Sequence, residues 1–156
     1  MNAVSRFVFA LLALTQGSAL AQDRSAEGFL RAIYGKAYVG KDAKGIDIST
    51  RAQLERYFVP ELARRIDADG SAAARRGDIG ELDGDAFVGA QDWSITAFDV
   101  VVTQAGAVAT GTVTFSNSGR PAKVIVMLQR LKSGWRIADI DWGEGGKLSA
   151  LFAKQK

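Results

Sequence analysis

Residues 94–142 decide the fold. They read Ser94-Ile-Thr-Ala-Phe-Asp-Val-Val-Val-Thr103, Ala107-Val-Ala-Thr-Gly-Thr-Val-Thr-Phe-Ser116, Lys123-Val-Ile-Val-Met-Leu-Gln-Arg-Leu131 and Trp135-Arg-Ile-Ala-Asp-Ile-Asp-Trp142. Each run is rich in β-branched and aromatic residues and alternates with a period of two, which is the pattern of a half-buried strand. In the first run Phe98, Val100 and Val102 fall on one face. In the second, Val113 and Phe115 oppose Thr110, Thr112 and Thr114. The connectors are Gln104-Ala105-Gly106, Asn117-Ser118-Gly119-Arg120 and Lys132-Ser133-Gly134. All three are short and carry glycine, so the strands turn back on one another as antiparallel hairpins, with no room for a crossover helix.

Upstream the period lengthens to that of a helix. From Ser25 to Tyr38, the residues Ala26, Phe29, Leu30, Ile33, Tyr34 and Tyr38 recur on one helical face behind a serine suited to cap it. Thr50 and Gln53 form a capping-box pair at the head of a second helical region running to about Asp69. Leu54, Tyr57 and Phe58 make its apolar stripe. Pro60 then breaks the run and restarts it, as proline does in the first turn of a new helix. Leu62 and Ile66 continue the stripe, and Ala72 to Arg76 can add a turn. Gly70, Gly77, Gly80, Gly84 and Gly89 mark the next stretch as loop, and a short helix over Lys147 to Ala153 closes the chain. Helices followed by an antiparallel meander predict an α+β domain, in which a bent sheet of about four strands packs on the N-terminal helices. A sheet curved over a long amphipathic helix leaves a pocket at its open end.

The first residues predict export. Arg6 is the sole charge before the apolar run Phe7 to Leu14, and Ala19-Leu20-Ala21 supplies a small-x-small cleavage site. This is the order of a secretory signal peptide, and the run is too short to span a bilayer. Cleavage after Ala21 divides the chain into a signal peptide, 1–21, and one domain, 22–156. The expected location is the periplasm or beyond it, without a membrane anchor. The full chain has 20 basic and 17 acidic residues, a formal charge of +3. Removing Arg6 leaves +2, with the basic residues scattered, so nucleic acid is not expected as a partner.

The chain contains no cysteine and no histidine. Thiol catalysis, thiolate metal sites, disulfides and a lipid-bearing cysteine are therefore excluded, as are the Ser-His-Asp triad and imidazole bases. Acid–base chemistry would have to use Asp, Glu, Lys or Tyr. No cofactor and no metal site is expected, since the Asp83-Gly-Asp85 spacing lacks the remaining acids of a calcium loop.

The helix bearing Phe29-Leu-Arg-Ala-Ile-Tyr34, the central Gln91-Asp92-Trp93 and the late Gly134-Trp-Arg-Ile-Ala-Asp-Ile140 occur in the order that marks a family of exported bacterial proteins, domain of unknown function 3828. The chain resembles that family, and through it the nuclear-transport-factor-2-like, or cystatin-like, superfamily. The resemblance covers most of residues 22–156. It implies a cone-shaped sheet with a pocket, and members that are either ligand-binding or dimerising modules or enzymes such as ketosteroid isomerases. The open sheet face would be the homodimer surface.

Six residues are candidates for a ligand site. Gln91, Asp92 and Trp93 would orient a ligand at the mouth of the cone, or else cap backbone amides and fill the core. Tyr34 and Tyr57, with Tyr38, would hydrogen-bond a ligand inside it, or pack with their hydroxyls at the rim. Asp139 and Asp141, two apart on the expected fourth strand, share a face with Trp135 and Ile137, opposite Arg136, Ile140 and Trp142. They form either a proton-abstracting pair in the cone or a solvated outer face. Asp83, Asp85 and Asp92 are a carboxylate cluster or ordinary turn residues. With no catalytic constellation, the reading is a non-enzymatic periplasmic domain that binds a small molecule or an envelope protein, for example as a stress factor or inhibitor. An interior filled by side chains would leave only the protein partner. The alternative is an isomerase or dehydratase using a carboxylate base without histidine or metal, which requires an Asp or Glu projecting into an apolar cavity.

Overall fold

A computed structural model describes residues 25–40 and 42–153; the signal peptide expected at 1–21 lies outside the described residues. The elements run α1 (Ala26–Ala37), α2 (Arg51–Tyr57), α3 (Pro60–Arg76), β1 (Ile95–Ala105), β2 (Val108–Asn117), β3 (Arg120–Leu131), β4 (Gly134–Asp141) and α4 (Leu148–Leu151), with a 3-10 turn at Gly143–Gly145 before α4. The fold is α+β: helices first, then a four-stranded antiparallel meander in the order β1-β2-β3-β4 that does not close into a barrel.

Local chemistry sets the helix ends. The Ser25 hydroxyl accepts from the Gly28 amide at 2.9 Å. Both halves of the Thr50–Gln53 capping box are present, so two orphan amides are satisfied at the head of α2. Pro60 opens α3, which stays helical through Gly70 to Arg76 and so corrects the loop reading of that glycine. Gly77, at φ 68°, ends it in the left-handed conformation that glycine adopts without strain. The last helix is shorter than its apolar pattern suggests, four residues behind Lys147.

The alternation within the strands sorts as the sequence requires. Val100, Val113, Phe115, Val124, Val126 and Leu128 are buried, while Thr103, Thr110 and Thr114 on the opposite face are exposed. The inward residues meet Leu30, Ile33 and Tyr34 of α1, Leu54 of α2 and Leu62 and Ile66 of α3 in one apolar cluster. Gly111 permits the close approach, because a Cβ there would collide with Leu30 Cδ1. Both edges of the sheet are strapped by the helical half: Val39 bridges Ile95 at β1, and Phe58 bridges Ile137 at β4, where the Val59 amide donates to the Ile137 carbonyl at 2.9 Å. These straps occupy edge groups that would otherwise be open to pairing with other chains.

The fourth strand corrects one reading. Met127 pairs with Asp139 but Leu128 pairs with Ile137, so Ala138 is an extra residue on β4. That bulge inverts the alternation. Trp135 and Ile137 face the core before it, and Ile140 faces the core after it. Asp139 and Asp141 therefore lie on the face opposite Trp135 and Ile137, not beside them.

Candidate functional site

The interior is occupied by the protein's own side chains. Tyr34, Tyr38, Phe58 and Phe87 are fully buried and stack in a chain of ring contacts with Phe98, Phe115 and Trp93 at centroid distances of 4.9–6.4 Å. Aromatic rings pack this closely in tilted and edge-on geometries because their quadrupoles disfavour face-to-face contact.

The polar centre of this cluster is Tyr38 and Asp85, 47 residues apart in sequence. Tyr38 caps the C-terminus of α1, and its hydroxyl lies 2.9 and 2.8 Å from the two Asp85 carboxylate oxygens. Asp85 Oδ1 also accepts from the amides of Phe87 and Val88, at 2.8 and 3.2 Å. The Ile46 amide donates to the Tyr38 oxygen at 3.3 Å. Gly45, at φ 72°, lies against the pair. A Cβ there would sit 3.1 Å from Asp85 Oδ2 and 3.2 Å from the Trp93 ring, so the 42–48 loop lies over it. Burial raises the Asp85 carboxyl above its ordinary value, against the hydrogen bonds that lower it. Burial, then the Asp85 charge, pushes the Tyr38 hydroxyl well above the usual phenol range. Tyr34, whose hydroxyl donates to the Phe87 carbonyl at 2.8 Å, is raised for the same two reasons. Carboxylate beside tyrosine is a composition that proton-transfer sites use. Here each oxygen already holds a structural partner, and the pair braces the 85–90 loop against α1.

The six candidate residues do not converge on one point. Tyr34 is in the core. Trp93 is half-buried with its edge on Tyr38, at 4.9 Å. Tyr57 meets Phe87 edge-on and, with Lys36, Lys44 and Arg56, walls a groove of about 560 Å³ between α1, the 42–47 loop and α2. Gln91 and Asp92 are exposed, and the Gln91 amide donates to Asp83 at 2.6 Å, tying the two ends of the loop together. Asp139, on β4, is engaged separately. It accepts from the amides of Ile140 and Ser149, both at 2.9 Å, and from the Ser149 hydroxyl at 2.6 Å, which pins α4 to β4. Asp141 accepts from the Gly143 amide at 2.8 Å and shapes the following turn. Among the described residues no three Asp or Glu converge as metal ligands.

No family model matches the chain, and no curated protein does. The fold does have a solved counterpart. A chain in the crystal structure of the type VI native effector-immunity complex Tae3-Tai3 from Ralstonia pickettii is similar at a TM-score of 0.53 and 24% sequence identity, over 75% of this chain and 94% of that one. The likeness is one of fold.

Two features escaped the sequence reading. The Tyr38–Asp85 pair joins distant segments, and neither residue carries a local mark of the other. The second is a group of cations, Arg130, Lys132 and Arg136, which the β3–β4 hairpin gathers at one end of the sheet. A signal for it existed: residues 100–138 contain Arg120, Lys123, Arg130, Lys132 and Arg136 and not one Asp or Glu. Among the described residues no helix is long and apolar enough to cross a membrane.

Proposed function

We propose that this chain is an exported, non-catalytic protein-binding domain, acting as an immunity-type inhibitor that masks a partner protein outside the inner membrane. The observation that carries the reading is the filled interior. With Tyr34, Phe58, Phe87, Phe115 and Trp135 occupying the space beneath the sheet, a ligand has only the outer surface to bind. The fold likeness supplies a precedent, because the similar chain was solved within an effector–immunity complex. The leader pattern around Arg6, Phe7–Leu14 and Ala21 supports the location. The resemblance to domain of unknown function 3828 and the nuclear-transport-factor-2-like superfamily is compatible with the same reading, since that superfamily includes accessory and binding modules.

The carboxylates named for the carboxylate-base alternative are engaged or exposed, and the buried Asp69 accepts from the Glu81 amide at 2.7 Å. Asp85 is held by Tyr38 and two amides, Asp139 by Ser149, and Asp141 by a turn amide, while Asp83 and Asp92 are exposed. The direct test is titration calorimetry of the purified protein against a type VI effector such as the Tae3 of that complex. Saturable binding at a fixed stoichiometry is the expected outcome. Turnover of a small substrate that disappears in Asp85→Asn, with no protein partner bound, would overturn the reading.

A further inference from the structure

The first turns of α1 and the β3–β4 hairpin enclose a cleft of about 600 Å³. Arg130 at the end of β3, Lys132 in the turn and Arg136 at the start of β4 line it, and among the described residues no Asp or Glu does. Its apolar wall is formed by Phe29 and Leu131, both half-buried, with the buried Trp135 behind them.

What marks this cleft is that three cations line it with no acid among its described lining residues, whereas cations without an ion pair among the described residues, such as Arg75 and Arg76, also occur elsewhere on the surface. Arg31, Arg51, Arg64 and Arg65 each lie within 3.3 Å of a carboxylate. Among the described residues, no ion pair reaches Arg130, Lys132 or Arg136. Glu27, on the first turn of α1, pairs with Arg31, which also reaches Asp99 and the Val100 carbonyl on β1, so this acid serves the β1 side of the helix. Arg136 is held in place, its Nε donating to the Glu55 carbonyl and its Nη1 to the Trp135 carbonyl, both at 2.8 Å. Its remaining N–H groups are fixed in direction. Three cations gathered with no counter-charge among the described lining residues raise the local potential and repel one another, a cost that an incoming anion removes. The apolar wall adds a hydrophobic contact that a bare anion cannot make.

We infer that this cleft receives an acidic segment of the partner protein, one that places carboxylates against Arg130, Lys132 and Arg136 and an aromatic or aliphatic side chain against Phe29 and Leu131. The inference rests on the protein-binding reading and names the chemistry of its partner. A segment, not a whole face, fits the volume, and the charges would steer its approach while the apolar contact slows its release.

The probe is a fluorescein-labelled peptide, Glu-Asp-Phe-Glu-Leu-Glu, titrated with the purified protein by fluorescence anisotropy. The neutral peptide Gln-Asn-Phe-Gln-Leu-Gln is its control. The acidic peptide should bind at least about tenfold more tightly than the neutral one, and Arg130→Glu with Lys132→Glu should weaken it by about tenfold or more. Phe29→Ala should also weaken it. Arg75→Glu with Arg76→Glu, two exposed cations at the far end of α3, should leave it unchanged. Equal losses in both charge-reversal pairs would mean diffuse attraction and overturn the cleft. So would full competition by inorganic phosphate at millimolar concentration, or binding of phosphatidylglycerol vesicles in place of the peptide. Partner binding unchanged in the cleft variant overturns this inference alone, whereas peptide binding at the cleft combined with no binding of effector proteins such as Tae3 in calorimetry overturns the function proposed above. Circular dichroism melts of each variant separate loss of binding from loss of fold.

Discussion

At the scale of single residues, Asp85 is a central polar group in the fold. It holds Tyr38 and two backbone amides at once, in half-buried surroundings. Asp85→Ala leaves all three donors without their partner, and the expected loss is about 2 to 3 kcal/mol of stability in urea unfolding. Asp85→Asn, which keeps one acceptor oxygen, should lose less. The pH dependence has a definite sign. Because burial raises the folded-state value above the ordinary 3.8, the folded protein holds the proton more tightly than the unfolded chain. This contribution to stability is complete below the ordinary value and is lost as pH rises through the raised one. Midpoints measured from about pH 4 to pH 7 should fall more steeply in the native protein than in Asp85→Asn. Gly111 is a second such position, for a steric reason. An alanine there must displace Leu30 of α1, so Gly111→Ala should cost about 1 to 3 kcal/mol, and Leu30→Val in the same chain should return part of it. Equal stability of Gly111→Ala and the native protein would mean that α1 sits further from the sheet.

At the scale of elements, β4 and α4 behave as one unit joined by Asp139. That carboxylate accepts from the Ser149 amide and hydroxyl and from the Ile140 amide, so α4, only four residues long, depends on it. An isolated helix of that length does not persist in water. Asp139→Ala should therefore release α4 before the sheet opens. Hydrogen exchange would show early loss of protection at Ala150 and Phe152, with β2 and β3 amides unchanged; a uniform loss across the sheet would refute a local role. The same strand shows where the sequence was legible and where it was not. Strand alternation, the glycine-bearing turns, the Ser25 cap, the Thr50–Gln53 box and the break at Pro60 are local signals, and each is realised in the structure. The bulge at Ala138 is not local. It is set by pairing β4 against β3 while Phe58 bonds to its other edge, and alanine carries no mark of it. One inserted residue was enough to reverse the facing of Asp139 and Asp141. The Tyr38–Asp85 pair was illegible for a related reason, since its two halves meet only once α1 and the 85–90 loop have docked.

At the scale of the whole molecule, the two faces of the sheet have opposite fates. The inner face is buried under α1 and its aromatic neighbours. The outer face carries Thr103, Thr110, Thr112 and Thr114 with Val101, 62% exposed, and Val108, 56% exposed. Four strands of about ten residues project roughly 600 Å². A stable complex buries about 800 Å² on each partner with an apolar centre. A face of this size, dominated by threonine, falls short of what a permanent homodimer needs, although it suffices for weak pairing. Light scattering should give a monomer mass at low micromolar concentration, with a dimer growing in only as the protein is concentrated well beyond that. Val101→Lys places a charge on the apolar, β1 side of the face and should abolish that growth without shifting the melting temperature, since Val101 is mostly solvated in the monomer. A dimer that survives dilution to nanomolar concentration would place the self-association surface elsewhere. The helix-covered edges and the cationic hairpin would then become the faces to examine.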